Sequence, residues 1–220
     1  MVKKEILKSE INSSKQNEKK EKTNKNSSKN IMIPFIIILG LIILFFSIKY
    51  LYHPVTNEES YVYNGFNFTK VSNLWLTEVQ KNNTLFRITT RYRPMDVEDV
   101  LFEPEVSKKI INSNGIYLTV PPNLTSVAVL AMAEVGRIVG TRYNILNIPS
   151  EVALTEPNDN GAIVKTCEDA VNGVGVILFR RGNNTAVYSD ENCIIVQGED
   201  DWEIVRAADR LTFALLGIMN

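Results

Sequence analysis

The chain has 220 residues, with 24 Lys and Arg against 25 Asp and Glu and a formal net charge of -1. Its 11 Gly, 8 Pro and 2 Cys exclude collagen, low-complexity chains and disulfide-dense scaffolds. The near-neutral balance also argues against a basic nucleic-acid-binding protein, so no nucleic acid is expected as a partner. These averages conceal a separation of charged and apolar residues into blocks along the chain.

The first block is a Lys-rich segment over residues 1–30. It contains nine Lys and four Glu, which leaves a net charge of +5, and it has no aromatic residue. Such a composition cannot bury enough apolar surface to offset the entropy lost on ordering, so a disordered cytosolic tail is predicted. Because an apolar block follows, the headgroups of a lipid bilayer are the nearest partner for these lysines.

Residues 31–52 are predicted to form a transmembrane helix. The first 18 of them carry no charge, and the apolar character continues past Lys49 to Tyr52. At about 1.5 Å per residue the segment is roughly 33 Å long, enough to cross a hydrocarbon core of ~30 Å. No small-residue cleavage motif follows the apolar run, so the helix is expected to remain as an uncleaved signal anchor.

The lysines also predict the orientation of this helix. Nine Lys precede the apolar run, whereas His53, Glu58 and Glu59 follow it, so the positive-inside rule places the N-terminus in the cytosol. Residues 53–60 are then a linker, and residues 61–220 form an extracytoplasmic domain. The predicted location is the cell membrane, as a single-pass protein.

Both cysteines belong to the predicted outer domain. Cys167 and Cys193 are accompanied by no CxxC motif and no His spacing, so a disulfide is expected in an oxidising compartment; two buried free thiols are the alternative. Four N-x-Ser/Thr sequons in the same domain are candidate glycosylation sites. They are Asn67, Asn82, Asn123 and Asn183.

A β-hairpin is predicted over residues 61–68. Its centre is Asn64-Gly65, which suits a type I′ turn because that turn needs a positive φ at both central positions. The resulting face is predicted to be core, with an aromatic platform for a sugar or a peptide as the alternative. The pairing stacks four aromatic rings there, Tyr61 opposite Phe68 and Tyr63 opposite Phe66.

A second hairpin is predicted over residues 74–93, with its turn at residues 81–83. Its second strand alternates apolar and polar residues with period 2, which is typical of a half-buried strand. The alternation places three arginines on one exposed face: Arg87, Arg91 and Arg93. One hypothesis is contact with an anion such as phosphate, sulfate or an acidic polymer, and the alternative is a solvated face balanced by nearby acids. Pro94 ends the strand, and residues 95–100 are predicted to be a helical turn or a loop.

From about residue 116 the pattern alternates strands with two helices. The first helix is predicted over 126–141, with a cap at Thr125 or Ser126. The second begins near Asp200 and ends at Gly217. Two of the strands, 175–180 and 185–189, are predicted to pair across a turn at 182–184. The remaining strands are predicted at 116–120, 151–155, 162–165 and 193–197.

Asp209 lies at the edge of the apolar stripe of the last predicted helix. It is expected to pair with Arg206, three residues earlier on the same face. A carboxylate tuned for chemistry is the alternative.

The predicted fold class is α+β, with an N-terminal transmembrane helix followed by β-hairpins and a mixed sheet packed against two helices. About 160 residues can bury a sizeable core, so residues 61–220 are predicted to form one domain. The alternative is a β-hairpin subdomain over 61–110 joined to an α/β subdomain over 115–220.

No catalytic motif is found in the outer domain. The single His is His53, next to the apolar run, so Ser-His-Asp, Cys-His and His-based zinc sites are not expected. No phosphate-binding glycine motif is present, and no cofactor or metal is predicted. Two acidic groups are candidate Ca²⁺ ligands, but acids near a helix N-terminus are expected from the helix dipole alone. These groups are Glu199 with Asp200 and Asp201, and Asp159 with Glu168 and Asp169.

Residues 166–219 contain TCEDA, VILFRRGNN, CIIVQGED and RAADRLTFALLGIM. This pattern resembles the C-terminal part of uncharacterised archaeal single-pass membrane proteins with an extracytoplasmic α/β domain. The order of strand, glycine turn and Ala-rich helix is also distantly similar to modules of archaeal surface-layer proteins. The resemblance implies no known activity. Because an anchor and a disulfide pair are predicted and no catalytic motif is found, an envelope or surface-layer protein is a candidate partner.

The leading functional hypothesis is a non-enzymatic, membrane-anchored module that binds or braces a partner in the cell envelope. One alternative is an anchored envelope hydrolase that uses two carboxylates. Another is an accessory subunit of a secretion or surface-filament machine. A cleft lined by two acids would favour the hydrolase, and a closed surface of sheets and helices would favour the module.

Overall fold

The computed structural model describes residues 34–48 and 59–220. The chain divides into two compact units, Met1–Asn57 and Glu58–Asn220. In the first unit, residues 34–48 form helix α1, whose apolar side chains are exposed. No helix in the described ranges combines the length and the apolar character needed to cross a membrane, so the predicted transmembrane helix is not confirmed. Its ends, at 31–33 and 49–52, lie outside the described residues, as do the predicted tail and most of the linker.

The second unit begins with a four-stranded antiparallel sheet, here called sheet A. Its strands follow one another in space as they do in sequence: β1 (Ser60–Tyr63), β2 (Phe66–Val71), β3 (Leu74–Lys81) and β4 (Thr84–Thr90). Both predicted hairpins are confirmed, including the pairing of Tyr61 with Phe68. The turn residues have positive φ angles of 46° at Asn64 and 83° at Gly65, as a type I′ turn requires.

A six-stranded sheet, sheet B, follows. Its strands are β5 (Leu101–Phe102), β6 (Gly115–Val120), β7 (Ser150–Leu154), β8 (Val174–Arg181), β9 (Ala186–Asp190) and β10 (Cys193–Gly198). Their spatial order is β5-β9-β10-β8-β6-β7. Only β9 and β10 pair antiparallel, and the other neighbours pair parallel, so the predicted mixed sheet is confirmed.

The predicted hairpin between residues 175–180 and 185–189 is wrong. Strand β10 lies between β8 and β9, and the true hairpin joins β9 to β10. The reason is burial: every residue of β10 is buried, so this strand needs a neighbour on each edge and cover on each face. The strand predicted at 162–165 is reduced to one isolated bridge between Val164 and Leu154.

Three helices belong to this unit: α2 (Glu105–Ile111), α3 (Ser126–Val139) and α4 (Asp201–Leu215). Short helix α2 and strand β5 were not predicted. Of the two predicted caps, Thr125 caps α3: its hydroxyl accepts a hydrogen bond from the Val127 N–H. Asp200 caps helix α4 and accepts hydrogen bonds from two N–H groups of the first turn. The helix ends before Gly217, which has a positive φ of 72°.

Helices α3 and α4 pack against each other between the two sheets. Phe213 of α4 meets Phe68 of sheet A edge to face, with ring centroids 6.0 Å apart, while α4 also packs on β10 of sheet B. One hydrophobic core therefore takes side chains from both sheets and both helices. This part of the chain belongs to one compact unit, Glu58–Asn220.

The aromatic face of the first hairpin belongs to this core. Tyr61 stacks on Phe68 with centroids 5.1 Å apart, and Trp75 meets Tyr61 edge to face at 5.2 Å. Phe68 is fully buried. The core interpretation is thus confirmed, and the aromatic platform is not formed.

The predicted disulfide is present between Cys167 and Cys193, whose Cα atoms are 5.1 Å apart. Cys193 opens β10, and it packs with Val176 and Ile195 on the face of sheet B that is turned away from α3 and α4. The bond ties the segment before β8 to the centre of the sheet.

All four outer sequon asparagines are exposed. Asn67 lies on β2, Asn82 in the turn between β3 and β4, Asn123 in the turn before α3, and Asn183 between β8 and β9. Their exposure is compatible with glycosylation, which stays a prediction.

Two glycines allow a matched test of the packing between these layers. A methyl group added at Gly136 in α3 would lie 3.6 Å from Leu118 Cδ1, an ordinary contact, so Gly136→Ala should raise the free energy of unfolding by about 0.5–1 kcal/mol. At Gly198 the same methyl would clash with backbone atoms of Glu203 and Ile204. Gly198→Ala should therefore lower the free energy of unfolding by about 1–3 kcal/mol. Urea denaturation measures both, and equal effects would contradict the close approach of β10 to α4.

Candidate functional site

A cavity of about 230 Å³ lies where sheet A meets helices α3 and α4. Strand β4 forms one wall, and α3, α4 and the segment after α3 form the others. We call it the β4 groove. Its apolar lining consists of Leu85, Phe86, Ile88, Ile138, Tyr143 and Ile145, and its polar lining of Arg87, Thr89, Glu134, Arg137, Asp209 and Thr212.

The groove runs along the outer edge of β4. Five consecutive residues, 85–89, line it, although side chains of a strand alternate between two faces. We infer from this contact with five residues in a row that the cavity follows the edge of the strand. Within the described part of the chain, β4 pairs only with β3, so this edge is unpaired.

The hairpin geometry identifies which backbone groups face the groove. Lys81 and Thr84 flank a two-residue turn, so they form a hydrogen-bonded pair, and such pairs alternate along the ladder. The N–H and C=O groups of Phe86 and Ile88 therefore point to β3. Those of Leu85, Arg87 and Thr89 point outward, into the groove.

Asp209 closes the groove from α4 and is nearly inaccessible to solvent, with 2% relative exposure. Its Oδ2 accepts hydrogen bonds from the N–H of Arg91 at 2.9 Å and of Tyr92 at 2.8 Å, just after β4 ends. The expected pairing with Arg206 is wrong, because that guanidinium binds Glu203 and Asp99 instead. Burial raises the pKa of Asp209 to about 8, even though the two N–H donors act in the opposite direction.

Glu134 is the second acid of the groove and lies on α3. Its Oε1 is 3.3 Å from Arg91 Nε, while Oε2 is buried and accepts no hydrogen bond from a described residue. Burial raises the pKa of Glu134, and the neighbouring Arg91 and Arg137 counteract part of that effect. The charge of Glu134 in turn helps to raise the pKa of Asp209, so the two carboxyl groups are electrostatically coupled.

The three arginines predicted to share one exposed face are separated by the structure. Only Arg87 lies on β4, where it pairs with Glu78 on β3 at 3.0 Å. Since β4 ends at Thr90, Arg91 turns inward to Glu134. Arg93 binds Asp96 at 2.6 Å and lies over the Trp75 ring. Each guanidinium has its own carboxylate, so the three do not form a common anion site.

Three of the six candidate Ca²⁺ ligands, Asp200, Asp201 and Asp169, have structural partners. Asp200 caps α4, and Asp201 binds the Thr125 hydroxyl and Arg181. Asp169 accepts hydrogen bonds from Lys165 and from the Thr166 N–H. In the described ranges no group of three His, Cys, Asp or Glu side chains is arranged to hold a metal ion.

Sequence reasoning missed Glu134 and the groove itself. One signal for Glu134 was available, because it is the only acid in the apolar, small-residue helix α3. An isolated acid in such a helix is costly unless it has a partner. That partner, Arg91, is 43 positions away in sequence and becomes visible only once β4 and α3 are packed together.

The volume of this cavity, about 230 Å³, is below the range of about 300–1,000 Å³ typical of small-molecule sites. No known protein family, curated protein or solved structure matches this chain. The resemblance of residues 166–219 to archaeal envelope proteins therefore stays a prediction.

Proposed function

We propose that this chain is a membrane-anchored, extracytoplasmic module that binds or braces a protein of the cell envelope. The observation that carries the proposal is the β4 groove, a mainly apolar recess bordered by an unpaired strand edge. Exposed strand edges are templates for pairing with another chain, and proteins usually cover or blunt them. Here the edge is open along three outward-facing residues, Leu85, Arg87 and Thr89.

Two further features support the proposed compartment. The Cys167–Cys193 disulfide suits an oxidising environment, because cytosolic thiols are kept reduced. In the sequence, nine Lys precede the apolar run that begins at residue 31, which supports an anchor with its N-terminus in the cytosol.

Protease treatment of intact cells that express a C-terminally tagged chain tests the anchor and the orientation. We expect residues 61–220 to be degraded while the Lys-rich segment 1–30 stays protected. Permeabilised cells, in which both segments should be cut, are the control. Protection of the C-terminal domain in intact cells would contradict the orientation.

Cross-linking on live cells tests the binding role. An amine-reactive, membrane-impermeant cross-linker followed by purification through the tag should recover an envelope protein. Recovery of no envelope protein, under conditions where the chain itself is modified by the reagent, would contradict the binding role.

A second candidate function is a two-carboxylate hydrolase. The observation that favours it is the raised pKa of both Glu134 and Asp209 at one cavity, since a general acid must keep its proton near neutral pH. If the chain hydrolyses isolated envelope glycans, Glu134→Gln and Asp209→Asn should each abolish the release of reducing ends. Absence of any release by the unmodified chain would eliminate this candidate.

A further inference from the structure

We infer that the β4 groove binds an extended peptide segment of the partner, which joins sheet A as a fifth strand beside β4. This inference rests on the proposed binding function and specifies its partner as a polypeptide in β conformation. A bound strand would explain both the position of the groove along the β4 edge and its apolar lining.

The backbone groups that face the groove favour a ligand in β conformation. The three N–H and three C=O groups of Leu85, Arg87 and Thr89 face the recess in an alternating donor and acceptor pattern. A β-strand presents the complementary pattern along its own edge, with the same spacing of two residues. Strand addition of this kind is a recurrent mode of peptide recognition in which main-chain hydrogen bonds supply affinity.

The side chains that line the groove determine which residue types the bound segment should carry. Phe86 and Ile88 point to the helix side of sheet A, where Ile138 and Ile145 complete an apolar lining. Every second residue of an added strand would point to that side, and the residues between would point to solvent. The structure therefore favours a segment with apolar residues at alternate positions.

A single extended segment fits this site better than a second copy of sheet A. Residues of α3 and Tyr143, whose ring lies under the Arg137 guanidinium, line the groove beside the β4 edge. We expect the edge strand of another whole domain to be hindered here, because that domain carries its own α3 beside β4. A segment without flanking helices meets no such obstacle.

Two proline variants on sheet A provide the test. In Arg87→Pro, the N–H that points into the groove is lost, while the ladder to β3 keeps its hydrogen bonds. Val62→Pro is the matched control on β1, the opposite edge strand, because the Val62 N–H also points away from its sheet. The probe is a phage-displayed library of random ten-residue peptides, panned against the full-length chain in nanodiscs with its disulfide intact.

We expect the enriched peptides to share apolar residues at alternate positions. A synthetic peptide of the enriched pattern should bind Arg87→Pro about tenfold more weakly than it binds the unmodified chain, as expected for one lost main-chain hydrogen bond. It should bind Val62→Pro as it binds the unmodified chain. Equal loss in both variants, or no loss in Arg87→Pro, would overturn the inference.

Hydrogen exchange on the unmodified chain keeps the test independent of variant folding. Peptide binding should slow amide exchange at Leu85, Arg87 and Thr89 and leave Val62 unchanged. Protection of these three amides before any peptide is added would overturn the inference, because the chain itself or a second copy would then occupy the edge. If live-cell cross-linking recovers equal amounts of partner with Arg87→Pro and with the unmodified chain, the binding function stands and the groove is not its site.

Discussion

Removal of the Cys167–Cys193 disulfide is expected to lower the free energy of unfolding by about 3.5 kcal/mol. The bond closes a loop with a sequence separation of 26, and the chain-entropy model relates the stabilisation to that length. The unfolded chain gains conformational freedom when the loop is opened, so the effect acts mainly on the unfolded state. The variant is Cys167→Ala/Cys193→Ala, compared with the unmodified chain in urea denaturation.

Reducing agent supplies the control for this prediction. It should lower the stability of the unmodified chain by a similar amount and leave the cysteine-free variant unchanged. Because Cys193 is buried at the start of β10, its replacement also removes packing, and the reduced unmodified chain separates that loss from the loss of the bond. Equal urea midpoints for the oxidised and reduced unmodified chain would contradict the prediction.

The second large effect concerns the ionisation of Asp209. Its pKa in the folded chain is about 8, above the ordinary value of 3.8, so between these pH values the folded state holds a proton that the unfolded state releases. The contribution of Asp209 to the free energy of unfolding is therefore fully present below about pH 4. It is lost progressively as the pH rises toward 8. At ~1.4 kcal/mol per pH unit the loss between pH 5 and pH 7 is about 3 kcal/mol.

Asp209→Asn isolates this contribution. The amide oxygen can still accept the hydrogen bonds from Arg91 and Tyr92, but the side chain no longer ionises. Relative to the unmodified chain, the variant should therefore gain about 3 kcal/mol in free energy of unfolding between pH 5 and pH 7. The exposed acid Glu199, replaced by Gln, is the matched control and should show no such gain. A constant difference between Asp209→Asn and the unmodified chain across this range would contradict the raised pKa.

Asp209→Ala separates the structural role from the charge. It leaves the N–H groups of Arg91 and Tyr92 without their acceptor in a nearly closed site, at a cost of about 1–3 kcal/mol for each unsatisfied group. At pH 5, where the native carboxyl is protonated, this variant should be less stable than Asp209→Asn. Equal stability of the two would show that the two hydrogen bonds contribute nothing to the fold.

Local signals in the sequence predicted the parts of the fold that depend on near neighbours. The Asn64-Gly65 turn, the period-2 pattern of β4 and the cap at Thr125 each depend on a few adjacent residues. Each is confirmed by the structure. The disulfide was predictable as well, because the described domain contains only two cysteines.

The pairing of β8 and β9 failed because proximity in sequence favours a hairpin only when no better neighbour exists. β10 is buried on both faces, and its central place is decided by the whole sheet. The same holds for Asp209. The nearest Arg along α4 was a reasonable partner by spacing, but the end of β4, 117 and 118 positions away, supplies its hydrogen bonds.

By itself, the sequence determined the α+β composition, the two hairpins, the disulfide pair and the separation of charge along the chain. Each of these depends on residue type and short-range spacing. Only the tertiary structure decided that α3 and α4 lie between two sheets, that Glu134 and Asp209 line one cavity, and that the edge of β4 borders a groove. Those features arise from contacts between segments far apart in sequence, and the burial that selects them exists only once the layers are assembled.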